Sequence, residues 1–267
     1  FLTIPHRSIC VSLTQRTRPV ATSFASARLE TRDQGILLYL DETESSFIDL
    51  ADPAYLDFEY HQHMDAAVKV LLGEDLPLNA AHLGGAACAL ARAWDATHPG
   101  SAQLAVEIDA KLAAYVRQWF DLPRSPRLRI RIDDAVVAAP SLKAEFWDVV
   151  VRDIFSGGTV PDSVCTPEFM HSCMNALKRE GLFLINAASA PTSQVQAQFA
   201  ALTQISDFLV ISDAAVARGK RRGNLVLVAR KTGFSAEDFD RLSRAVRKLP
   251  LPAQLYRHSD GALSRYN

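Results

Sequence analysis

Residues 79–109, NAAHLGGAACALARAWDATHPGSAQLAVEID, decide the fold. Asn79 to Leu83 is an apolar strand that delivers the chain to Gly84 and Gly85. There the missing side chains allow the backbone a close approach to a ligand. Ala86 to Ala93 reads as a close-packing helix of small residues. The turn THPGS leads to a second strand, which ends at Glu107. Gly84 and Glu107 are 23 residues apart, near the roughly 20 expected between a glycine turn and an acid that binds ribose. A carboxylate at that point can accept hydrogen bonds from both hydroxyls of a ribose, so the stretch predicts nucleoside binding.

Working outward, the alternation of strands and helices continues. A helix is expected over Ala110–Phe120, a strand over Arg127–Ile132, a helical piece near Ala135–Leu142 and a fourth strand over Trp147–Val151. Thr166–Lys178 carries helix start signals, with threonine as cap and proline first inside. Gly181–Asn186 is a fifth strand and Gln194–Ile205 a helix. Phe208–Ser212 and Asn224–Arg230 are two last strands whose basic, glycine-containing connection suits a hairpin. This order predicts a doubly wound α/β sheet, mostly parallel, with an antiparallel closing strand. Residues 1–56 differ: short β-rich runs at Val20–Glu30, Gly35–Leu40 and Ser46–Leu50 predict a small domain of β-hairpins. Residues 57–78 form a connecting helix and linker, 79–232 the nucleoside-binding domain, and 233–267 one more helix and an irregular tail.

Composition narrows the class of function. Of 267 residues, 48% are hydrophobic, enough for a sizeable core, and 29 Lys and Arg balance 30 Asp and Glu. No global charge therefore draws the chain to nucleic acid or to a membrane surface, and no apolar run approaches the roughly 18 residues of a membrane helix. The basic run Arg218–Arg222 reads as a solvated hairpin tip rather than a phosphate patch. Cys10, Cys88, Cys165 and Cys173 lack CxxC spacing, which predicts reduced thiols in the cytoplasm and no metal site. The first residue is Phe1 rather than methionine, which suggests that some natural N-terminus is missing and leaves a targeting segment open.

In an open parallel sheet, ligands sit outside the carboxyl ends of the strands. Those ends carry Gly84 and Gly85, then Glu107, then Asp133 and Asp134, then Asp153. Glu107 would hold the ribose. Asp134 could accept from an exocyclic adenine amino group while Ala135 leaves room for the ring. Asp153 would stand at the reacting end, where it could bind a cationic substrate and take its proton. Asp133 is the weaker candidate, since its neighbour fills the same role. A dinucleotide site needs GxGxxG, and this turn has no third glycine. A nucleoside without phosphates, such as S-adenosylmethionine, fits better.

The segments HLGGAACALARAW, VEID with Glu107, IDDA with Asp134 and WDVVVRDIFSGG with Asp153 resemble the spermidine synthase family of polyamine aminopropyltransferases. The likeness covers roughly residues 20–230 and is closest to its divergent, actinobacterial-type branch. It takes in the hairpins, Glu59-Tyr60-His61-Gln62-His63-Met64 against the family's YHE-M motif, and the closing GNLVLVA strand. The resemblance implies the fold of class I methyltransferases. It also implies a site for decarboxylated S-adenosylmethionine as co-substrate, an amine acceptor such as putrescine, no tightly bound cofactor, and a homodimer or tetramer. A neutral amine would attack the methylene beside the sulfonium, with Asp153 as catalytic base and no metal. Glu107 would hold the ribose and Asp134 with Ala135 the adenine. Tyr60 and His61 would line the amine and nucleoside pocket.

Four positions depart from the family pattern. Ala87 stands where GGGDG has the aspartate that binds the donor's aminopropyl nitrogen. Ser156 replaces the second acid of DxxD, Gln62 the glutamate after YH, and Ser45 a glutamine. Glu42, Glu44, Asp57 and Glu59 are nearby acids that could substitute. The departures leave three readings open: an aminopropyltransferase with an altered acceptor site, a methyltransferase using intact S-adenosylmethionine, or a non-catalytic nucleoside-binding member.

Overall fold

The computed structural model describes residues 18–32 and 35–267; Cys10 and part of the Thr31–Gly35 turn lie outside the described residues. Strands β1 (Val20–Ala21), β2 (Ser26–Arg32), β3 (Gly35–Leu40) and β4 (Thr43–Asp49) form an antiparallel sheet in that order. Its inner face carries Ala27, Leu29, Ile36, Leu38 and Ile48, and this face has to be covered. It packs on Ala87, Ala91, Leu112 and Val116, which belong to the glycine turn and to the helices α2 (Ala89–Thr97) and α3 (Ala110–Trp119).

Helix α1 (Glu59–Leu71) connects this sheet to a second one of eight strands. The second sheet comprises β5 (Asn79–Leu83), β6 (Ala102–Glu107), β7 (Leu128–Ile132), β8 (Trp147–Arg152), β9 (Leu177–Ala188), β10 (Phe208–Ser212), β11 (Asn224–Ala229) and β12 (Gln254–Arg257). Their order is β12-β10-β11-β9-β8-β5-β6-β7. The five strands from β9 to β7 are parallel, while β11 runs against both β9 and β10, and β12 against β10. The reversed β11 is thus inserted inside the sheet, and a second reversed strand closes one edge.

Alternation along the strands divides the core. Ala81, Leu83, Val150 and Phe183 face α4 (Ala135–Ser141), α5 (Pro167–Ala176) and α6 (Thr192–Thr203) through Ala138, Phe169 and Phe199. Ala80, Val149, Leu182 and Leu184 point the other way, onto Met64 and Val68 of α1, Trp94 of α2, and Leu242 and Val246 of α8 (Ala236–Val246). This is the period-two rule for a sheet covered on both faces. The edge strand β7 carries Arg129 and Arg131, charges that discourage further strand pairing.

Three expectations need correction or refinement. The helix after the glycine turn starts at Ala89, not Ala86, because Ala86 and Cys88 adopt φ of 39° and 56°. The hairpin of β10 and β11 is present, but its connection is not a plain loop, since it contains the short helix α7 (Ala214–Ala217) capped by Asp213. Residues 233–267 hold β12 beside their helix, so the tail is not simply irregular.

Candidate active site

The carboxyl ends of β5, β6, β8, β9 and β10 bring together most of the residues singled out above. At β5, Gly84 has φ of 90°, and a Cβ added there would lie 2.1 Å from the Asp153 backbone oxygen. Gly84 is therefore needed to let the chain leaving β8 pass. At Gly85 an added Cβ would meet the Glu107 carboxylate at an ordinary 3.7 Å.

Glu107 draws the glycine turn onto itself. Its Oε2 accepts from the amides of Gly85 at 3.3 Å and Ala86 at 3.0 Å, and its Oε1 from that of Asp109 at 3.0 Å. Burial pushes its carboxyl pKa up, which the three amides only partly offset. They occupy three of its about four lone-pair sites.

Asp153, the residue after β8, has donors on both oxygens. Tyr60 donates its hydroxyl to Oδ2 at 2.9 Å, and Asn186 its amide to Oδ1 at 2.8 Å. His61 Nε2 stands 3.6 Å from Oδ2, and the Asp153 side chain remains 18% exposed. Burial alone would push this carboxyl up, but His61, Asn186 and Tyr60 together outweigh it and hold the group below the ordinary range. Tyr60 is the converse case: burial and the Asp153 charge push its phenol far up, so it stays a donor. Tyr60 and His61 reach Asp153 from the first turn of α1, packed against each other with ring centroids 4.2 Å apart.

Sequence reasoning missed three groups here. Asn186, buried near the end of β9, also accepts at Oδ1 from Asn224 Nδ2 at 2.7 Å. Fully buried Arg152 donates Nη2 to Asn186 O at 2.7 Å and to Gln198 Oε1 at 2.5 Å. Burial lowers its pKa to about 10, and its Nε and Nη1 have no partner among the described residues. Asp213 directly follows β10 at the same carboxyl edge, so it extends the series of acids at strand ends. An acid following the apolar FLVIS run was the signal available for it.

Asp134 caps α4, accepting from Val136 N at 2.8 Å, and is exposed; Ala135 behind it is buried. Asp133 is paired with Arg131. Exposed Ile108, Ile132, Val136 and Val137 border Glu107 and Asp134 in sequence and form an apolar rim there. Ser156 stands in an exposed turn closed by its backbone bonds to Thr159, and its side chain makes no hydrogen bond to the Asp153 cluster.

Packing accounts for the other departures. Ala87 is fully buried under the N-terminal sheet, its amide donating to Ser46 Oγ at 3.3 Å, so an aspartate there would enter an apolar cluster. Gln62 donates Nε2 to Leu56 O at 2.8 Å, a bond that glutamate could not make. Ser45 is partly exposed and bonds its own strand at Thr43 O. An open hollow of about 510 Å³, lined by Lys69, Glu74, Asp75, Ala96, Thr97 and Pro99, lies at the opposite ends of the strands, away from all these groups.

No family model matches the chain. Among curated proteins, the polyamine aminopropyltransferase of Neisseria meningitidis is 24% identical over 237 residues, 88% of this chain and 87% of that one. That of Chromobacterium violaceum is 26% identical over 173 residues, and this match spans 64% of the chain and 65% of the relative's length. Among solved structures, a probable spermidine synthase from Corynebacterium glutamicum is 30% identical, covers 91% of both chains and superposes with a TM-score of 0.83. Human methyltransferase-like protein 13 in complex with SAH shares the fold, with 22% identity, a TM-score of 0.58 and coverage of 72% of this chain and 94% of that one.

Proposed function

The chain belongs to the spermidine synthase-like family, and from that premise we propose that it transfers an aminopropyl group from decarboxylated S-adenosylmethionine to an amine, through an acceptor site altered from the family pattern. The observation that carries this reading is the Asp153 carboxylate, held ionised by Tyr60, His61 and Asn186 beside the glycine turn and Glu107. A neutral amine attacks the methylene carbon next to the sulfonium. The carbon–sulfur bond breaks, its electron pair returns to sulfur, and methylthioadenosine leaves. Positive charge moves from sulfur to nitrogen during this step. A fixed carboxylate at the transition state favours that transfer. Because its pKa is depressed, Asp153 orients the amine and passes its proton on rather than storing it.

Glu107 is the ribose anchor in this reading. With three lone-pair sites in use, the second ribose hydroxyl displaces the long Gly85 contact. Asp134 keeps one carboxylate oxygen outside its cap bond for the adenine amino group, and Ala135 and the apolar rim flank the ring. Ser156, at the mouth, contacts the amine only through its hydroxyl.

A methyltransferase is the second reading, favoured by one observation: Ala87 is buried and supplies no carboxylate for the donor's aminopropyl ammonium. Calorimetry with methylthioadenosine and with S-adenosylhomocysteine separates the two. Tighter methylthioadenosine, and its release from decarboxylated donor plus amine, supports aminopropyl transfer. Tighter S-adenosylhomocysteine overturns it. In either case Glu107→Gln weakens the nucleoside, since a bond to a charged group contributes about 1.5–3 kcal/mol.

A further inference from the structure

One cation stands between two carboxylates at the N-terminal end of α1, the helix that carries Tyr60 and His61 to Asp153. Arg221 Nη2 lies 3.9 Å from Glu59 Oε1 and 3.5 Å from Asp213 Oδ1. The basic run that reads as a solvated tip thus sends one guanidinium back onto the sheet edge. Both acids lie at the start of α1. Glu59 precedes Tyr60, whose hydroxyl bonds Asp153. Asp213 directly follows β10, and its charge acts on His63, one turn along α1 from Tyr60; the Nδ1 of buried His63 has no partner among the described residues. Asp213 is itself fixed, its Oδ1 accepting from the Ala215 and Val216 amides at 2.8 and 3.1 Å. Arg221, by contrast, is half exposed and reaches the two acids only at 3.9 and 3.5 Å, so it is the more loosely held member.

We propose that Arg221 is the acceptor-specificity residue of this site: it is an internal counter-cation between Glu59 and Asp213, and it disfavours acceptors that carry a second positive charge away from the reacting amine. The proposal rests on the amine-acceptor reading above. The far ammonium of a diamine needs a carboxylate, and Glu59 and Asp213, at the N-terminal end of α1, already share a guanidinium. Such an ammonium has to displace Arg221 or sit beside a like charge. A monoamine meets neither obstacle. Specificity here is set by the repulsive element rather than by lost attraction alone.

Calorimetry on the full chain tests this, with 1,4-diaminobutane and n-butylamine titrated against wild type, Arg221→Ala and Arg221→Lys. Methylthioadenosine binding is measured first, and the amines are titrated with and without it. Wild type is expected to bind butylamine at least as tightly as the diamine. Arg221→Ala is expected to tighten the diamine about tenfold while butylamine stays within about twofold, and Arg221→Lys to keep the wild-type ratio. A diamine preference in wild type, or a ratio unmoved by Arg221→Ala, overturns the proposal. Absence of methylthioadenosine binding instead counts against the functional reading, and the two failures are told apart in the same experiment.

Discussion

At the scale of single residues, the decisive group is Asp153, and its character comes from its neighbours. Tyr60 and Asn186 each donate to one of its oxygens, and a donor to the ionised form lowers a carboxyl pKa. Replacing Asn186 by leucine keeps most of the volume and removes one donor. The carboxyl pKa then rises, and the acid limb of a kcat/KM–pH profile moves upward by about one to two pH units, as a bond to a charged group is worth about 1.5–3 kcal/mol. Asp153→Asn is expected to abolish turnover while leaving methylthioadenosine affinity within about twofold by calorimetry; retained turnover would remove it as the proton-accepting group. Asp153 was legible in the sequence because an acid after an apolar strand announces itself. Asn186 was not, since nothing local ties it to an aspartate 33 residues away. Its one trace is a polar residue closing the apolar run GLFLIN.

At the scale of elements, the glycine turn couples two strands. With φ of 90° at Gly84 and the Asp153 carbonyl where a Cβ would go, Gly84→Ala adds left-handed backbone strain to a steric clash. Each costs about 1–3 kcal/mol, so chemical denaturation should show a loss of about 2–6 kcal/mol. A loss below about 1 kcal/mol would mean that β8 does not press on this turn. The alanine-rich stretch reads as helix from Ala86 because alanine has the highest helix propensity. Glu107 overrides that preference by taking the amides of Gly85 and Ala86, and the helix waits until Ala89. The strand QLYR escaped notice for another reason. Four residues are too few to display alternation, and its pairing with β10 is entirely non-local. The main parallel strands were legible because each is an apolar run bounded by turn chemistry.

At the scale of the whole molecule, two buried histidines link stability to pH. Burial lowers His63 and His82 to about 4 from 6.5, and His82 Nε2 donates to Gln103 Oε1 at 3.0 Å. The unfolded chain therefore binds more protons than the folded one between pH 4 and 6.5. The contribution is fully present above pH 6.5 and is lost as the pH falls through that window, at up to about 1.4 kcal/mol per pH unit for each histidine. Urea midpoints measured from pH 7.5 down to 4.5 should fall steeply, and His63→Gln should flatten the slope by one proton. An unchanged midpoint across the range would refute the linkage. The bonds around Asp153 have a different consequence. Tyr60 reaches it across 93 residues of chain, and Asn224 braces Asn186 across 38. A fragment trimmed to the glycine turn and its sheet would keep the acids and lose the phenol and imidazole that tune Asp153. The arrangement is not modular: it exists only once distant parts of the chain have met, so the environment of Asp153 doubles as a check that the molecule has been assembled.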